Sequence, residues 1–181
     1  MLEHIFTASI VGEAVLLTGV LCVASISDLR ERRIPNYLTY GAFVASIFIA
    51  LLIGLTGVDP DALPQRLAGF SVSFGVMLVA YFTIGIGAGD VKLAAVLGGL
   101  LGVRSGLEII FLAHIVGGVF AACLIVYRIG PSWLVYKLLA TCAPAKFPQP
   151  VLHKHKLSYP VPMAVFFAIA TMLCLGGVQV L

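Results

Sequence analysis

From Leu67 to Val103 the chain reads LAGFSVSFGVMLVAYFTIGIGAGDVKLAAVLGGLLGV, and only Asp90 and Lys92 in it carry charge. A hydrocarbon core about 30 Å thick takes about 20 helical residues at about 1.5 Å each. The stretch therefore holds one full span, 67–86, and a shorter apolar run, 91–103, joined by a glycine-rich turn at Asp90. The shorter run reaches only about 20 Å, so it borrows flanking residues, with Lys92 and Arg104 snorkelling outward, or it thins the bilayer locally. Working outward, nearly uncharged runs recur at 5–27, 37–56, 105–127 and 159–181. The expected fold is all-α: a polytopic membrane bundle of about six helices in one domain, 1–181.

Composition agrees. Of 181 residues, 61% are hydrophobic and 10% charged, against about 25% charged in soluble domains. A chain this small has too little interior to hide so much apolar surface from water. The net charge of +3 is too small to suggest a nucleic-acid partner; the lipid bilayer is the expected one.

The first run has no basic residue near its start, so it reads as a retained span and not a removable signal peptide. Nine of the eleven Lys and Arg fall in connections on one side, leaving Arg66 and Arg104 on the other. The positive-inside rule then makes the nine-residue side cytoplasmic and puts both termini outside. The 128–158 loop is cytoplasmic in this reading. Its segment PSWLVYKLLATC (131–142) is expected to form an interfacial helix, followed by a stiff Pro-rich connector.

Two acidic residues stand out by position. Asp28 sits at the end of span 1 in SDLRERRIPNYLT, and Asp90 at the start of span 4 in GIGAGDVKL. Two spans separate them, and an even number of crossings brings both to one membrane surface. Two carboxyls held together can share a proton: one takes a proton from water attacking a peptide carbonyl, and the other donates to the carbonyl oxygen or leaving nitrogen. Such an aspartic site uses neither a metal nor a covalent nucleophile, and the sequence contains no H-E-x-x-H, G-x-S-x-G or clustered Cys/His. No metal or cofactor is expected. Gly85, Gly87 and Gly89 would let the backbone turn tightly before Asp90. The competing reading has Asp90 simply capping its helix and Asp28 pairing with nearby arginines.

Asp28-Leu-Arg-Glu-Arg-Arg33-Ile-Pro35-Asn36, followed by Tyr-Leu-Thr, resembles the first signature of the type IV prepilin peptidase family. Gly87-Ala-Gly89-Asp90-Val-Lys92 resembles its G-x-G-D-x-K signature. The resemblance covers nearly the whole chain. It implies an integral membrane aspartic peptidase, a hydrolase of the bacterial inner membrane. Such an enzyme removes the basic leader of prepilins and pseudopilins at the cytoplasmic face, typically after a Gly, for type IV pilus assembly or related protein secretion. By matching position, Asp28 and Asp90 would be the catalytic pair. Gly87 and Gly89 would shape the turn, Lys92 would sit beside the acid, and Arg33, Pro35 and Asn36 would support the first motif. Large members carry a further cytoplasmic domain with paired cysteines and also N-methylate the new terminus. Here span 1 ends directly at Asp28, so the chain resembles the short members serving tight-adherence (Flp-type) pili, and methyltransferase activity is not expected.

Other polar residues have competing readings. Glu13 and His114 lie inside spans, where ionisable groups are functional candidates by default; the alternative is a hydrogen bond to a neighbouring helix. Glu108 is placed to pair with Arg104 one helical turn away. Cys22, Cys123 and Cys174 are expected to act as small apolar residues, and His153 and His155 to be solvated. Gly98 and Gly102 have a spacing suited to helix docking, either for the substrate or within the bundle. Tyr159-Pro-Val-Pro162 should delay the start of span 6 beside the acidic edge. The rival to an enzyme is a small transporter or assembly scaffold with Asp28 and Asp90 in structural ion pairs.

Overall fold

The computed structural model describes residues 2–57, 59–129, 141 and 162–177, and within these the regular structure is entirely helical. The helices are α1 (Leu2–Glu31), α2 (Asn36–Leu55), α3 (Ala62–Ile84), α4 (Ala88–Ile129) and α5 (Met163–Leu175). Among the described residues, four segments are long and apolar enough to cross a membrane: Val11–Glu31, Asn36–Leu55, Ala62–Ile84 and Ala88–Leu124. The chain forms two units, Met1–His114 with Pro162–Leu181, and Ile115–Val161. The candidate site belongs wholly to the first.

Within that unit α1 packs against α2 and α5, and α2 against α3. The interior includes many small residues, among them Ala24, Ala42, Ala50, Ala94, Ala95, Ala113, Ala164 and Ala170. Small side chains bring helices close where lipid supplies no hydrophobic drive for association. Phe167, Leu93, Leu97, Ile109 and Met77 fill the space between the helices, while other large side chains point outward. Tyr40, Val44, Phe48, Leu52 and Leu55 make an exposed apolar stripe along α2, of the kind soluble monomers avoid.

The expected boundary between the fourth and fifth runs falls inside α4. Gly102 there has φ 85° and ψ 176°, outside the helical region. A continuous helix would separate residues 98 and 106 by about 12 Å, yet a Cβ added to Gly106 would lie 2.7 Å from the Gly98 Cα. The chain therefore reverses at Gly102, and segments 88–101 and 103–129 meet near the reversal. Ser46 Oγ donates to the Gly99 carbonyl at 3.5 Å and Arg66 to that of Leu100 at 2.6 Å, answering carbonyls that the end of a helix leaves open.

Gly98 is buried in this crossing and is not a docking surface for another chain. A Cβ on Gly69 would strike the Gly98 carbonyl oxygen and lie 2.9 Å from the Gly102 carbonyl carbon. Both obstacles are backbone, which cannot swing aside. Gly69→Ala is expected to destabilise the protein by about 3 kcal/mol through overpacking. Gly41, in α2, has nothing within 4 Å of its added Cβ, so Gly41→Ala should not destabilise. Thermal unfolding in detergent checks the contrast; equal midpoints would refute the close crossing.

Helix ends also differ from expectation. The first helix runs past Asp28 to Glu31, and the fourth begins at Ala88, so both acids lie inside helical turns. The third starts at Ala62, which takes Arg66 out of its expected loop and onto a helix. The last helix starts at Met163, later than the expected 159, behind an extended Pro162 (φ −73°, ψ 91°). Proline supplies no N–H and disfavours helical backbone in the residue before it. The expected interfacial helix, apart from Thr141, and His153, His155 and Tyr159 fall outside the described residues.

Candidate active site

Asp28 and Asp90 reach the same end of the bundle by different routes. Asp28 lies in the last turn of α1, half-buried. Its backbone carbonyl accepts from the Arg32 N–H at 3.0 Å, and Arg32 then takes the left-handed conformation, φ 54°. That residue ends the helix and turns the chain toward α2. Ser27 Oγ donates to the Arg33 carbonyl at 2.8 Å, bracing the connection, and Pro35 in extended conformation (ψ 135°) leads into Asn36, the first residue of α2.

Asp90 is in the first turn of α4. Gly85, with φ 78°, ends α3 by donating its N–H to the Tyr81 carbonyl. The left-handed turn thus belongs to Gly85, while Gly87 and Gly89 serve differently. A Cβ on Gly87 would stand 3.0 Å from Asp90 Oδ2, so Gly87 leaves room for the carboxyl to fold back over the turn. A Cβ added to Gly89 would come within 3.4 Å of the Ile34 side chain.

The two motifs touch. Lys92 Nζ donates to Asn36 Oδ1 at 2.8 Å and lies 5.5 Å from the centroid of the Tyr40 ring. Lys92 thereby fastens the start of α4 to the start of α2. Asp28 and Asp90, carried by these two motifs, thus lie at one end of the bundle. Neither carboxylate forms an ion pair with Lys or Arg among the described residues. Asn36→Ala and Lys92→Met are expected to be coupled by about 1 kcal/mol in a double-mutant cycle on stability, the size of a charge-assisted hydrogen bond at a partly open site. Additive effects would mean the contact contributes nothing.

One member of the site was not legible beforehand. The Ala164 N–H, in the first turn of α5, donates to Asp28 Oδ2 at 2.9 Å, and Ser25 Oγ donates to the Ala164 carbonyl at 3.4 Å. Asp28 thus caps α5 across 136 residues of sequence. The only sequence signal was the proline pair before span 6, which places a helix start near the acidic edge without naming its partner.

The other intramembrane polar groups form contacts of their own. Glu13 forms an ion pair with Arg66, a charged contact where a neutral hydrogen bond was one expectation. Arg104 Nε bonds Glu108 Oε1 at 3.1 Å, as its spacing suggested. Glu108 also accepts from Cys174 Sγ at 3.4 Å, so that thiol is a donor and not merely apolar filler. His114 turns Nδ1 to the Ile110 carbonyl of its own helix at 2.7 Å and sets its ring edge-on to Phe167. No group of three or more His, Cys, Asp or Glu suited to a metal occurs among the described residues.

Residues 15–122, which include both acids, match the sequence model of the type IV leader peptidase family. The chain is 31% identical over 118 residues to a prepilin leader peptidase/N-methyltransferase of Aeromonas salmonicida, a match covering 64% of this chain and 40% of that protein. It is 32% identical over 81 residues to a preflagellin peptidase of Methanococcus maripaludis, covering 45% and 35%. The preflagellin peptidase of Methanococcus voltae is 29% identical over 93 residues, covering 50% and 38%. The matches thus span about two fifths of the length of these curated relatives. No solved structure matches the chain.

Proposed function

Because the chain belongs to the type IV leader peptidase family, we propose that it is a membrane aspartic endopeptidase in which Asp28 and Asp90 cut the basic leader from a prepilin- or pseudopilin-like protein. The observation that carries this is the meeting of the two acid-bearing motifs at one end of the bundle, joined by Lys92 and Asn36. A carboxylate takes one proton from water as the oxygen attacks the peptide carbonyl. The other carboxyl, protonated, supplies a proton as the C–N bond breaks, leaving a new carboxyl end and a new amine. The two acids exchange protonation states over the cycle, and no covalent intermediate forms.

The substrate class suits the position of the acids. A pilin-type precursor carries a basic leader ahead of an apolar helix, so its cut site lies where a helix leaves the bilayer. Both acids are on helices at such an end. The distribution of Lys and Arg supports assigning this end to the cytoplasmic side of a bacterial inner membrane, with the leader drawn to anionic lipid headgroups. The proposal covers the peptidase step alone, not N-methylation. It is tested by incubating the purified full chain with a prepilin-type substrate in lipid and locating the new terminus by mass spectrometry. A cut after the leader is expected; an intact substrate would reject the reading.

A further inference from the structure

We infer that the amino end of α5 is a positioning element for the reaction: the Ala164 N–H holds Asp28 Oδ2 and leaves Oδ1 for proton exchange with water. This rests on the reading of Asp28 as a reacting acid. Both polar groups of the Ala164 backbone are gripped by one face of α1. Asp28 accepts from the N–H at 2.9 Å, and Ser25, one turn earlier, donates to the carbonyl at 3.4 Å. Ala164 itself is 0% exposed, so the grip is packed as well as hydrogen-bonded. A first-turn N–H has no partner in its own helix. Pro162, which precedes the helix and has no N–H, offers Asp28 no competing donor. The acid is therefore held by a group whose place is set by the start of a separate helix.

Two carboxyls that divide acid and base duties need a fixed orientation, and displacement by about 1 Å can cost about 10²-fold in rate. Holding one oxygen by a backbone donor supplies that orientation without adding a charged group. Ala164, Ser25 and the proline-fixed helix start act through Asp28 and touch no reacting atom.

Ala164→Pro removes the N–H at the second position of the helix, where no intrahelical hydrogen bond is lost. In the full chain, with a prepilin-type substrate, it is expected to lower kcat about 10²-fold while KM stays within about twofold. Met163→Pro removes the adjacent N–H, which Asp28 does not use, and should keep kcat near wild type. A merely structural cap predicts parallel loss of folded protein and no selective fall in kcat. Folded Ala164→Pro protein with wild-type kcat would overturn the inference. If that variant does not fold, Ser25→Ala decides: it loosens the same peptide, and a fall in kcat of about fivefold at unchanged KM is expected; unchanged kcat overturns the inference. Wild-type protein that cuts no leader would instead reject the peptidase reading, and the inference would fall with it.

Discussion

Asp28→Asn and Asp90→Asn are each expected to lower kcat for leader cleavage by about 10³-fold, within the range a positioned acid or base contributes. The amide has the shape of the carboxyl and neither gives nor takes a proton at ordinary pH. At position 28 the comparison separates two duties. Asparagine is as good a helix cap as aspartate, so Asp28→Asn should still accept from the Ala164 N–H and unfold close to wild type. Asp28→Ala removes chemistry and cap together and should cost about 1 kcal/mol more in stability. Cleavage rates with thermal midpoints for the three proteins resolve the matter. If Asp28→Asn cut at the wild-type rate, the acid would be only a cap, and the assignment of the pair would be wrong.

The second large effect is on stability. Glu13 and Arg66 are 25% and 12% exposed and paired, and Arg66 also donates to the Leu100 carbonyl at the end of segment 88–101. Removing one member strands the other charge in an apolar setting, which typically costs 3–5 kcal/mol. Glu13→Leu is therefore expected to destabilise the protein by about 3 kcal/mol. The double variant Glu13→Leu/Arg66→Met removes the stranded charge and should recover part of that loss, though not all, because the Leu100 carbonyl then loses its donor. Denaturation in mixed micelles measures both. Equal loss in the single and double variants would show that no stranded charge is involved. Neither residue is near Asp28, so any Glu13→Leu protein that folds should retain its kcat.

Run length and charge scarcity made the membrane bundle legible, because about 20 uncharged residues in a row have few other stable settings. The spacing of Asp28 and Asp90 across two runs placed both at one end by counting alone. Helix ends were less legible. Apolar runs end at charges, whereas helices end where backbone donors and acceptors find other partners. This is why α1 continues through Asp28 to Glu31 and why Arg66 joined a helix. The reversal at Gly102 fell where two runs met, yet its tight crossing depends on Gly69 from α3, which no local pattern identifies.

By itself, then, the sequence determined the solvent, the helical class, the family signatures and the two acids, since each follows from composition or from residues close together in the chain. Only the tertiary structure decided that Lys92 reaches Asn36, that Arg66 neutralises Glu13, and that Ala164 holds Asp28. Those contacts join residues 53 to 136 positions apart. Their partners are fixed by how helices pack and by which buried polar groups remain unsatisfied, and neither quantity is written in any single stretch of chain.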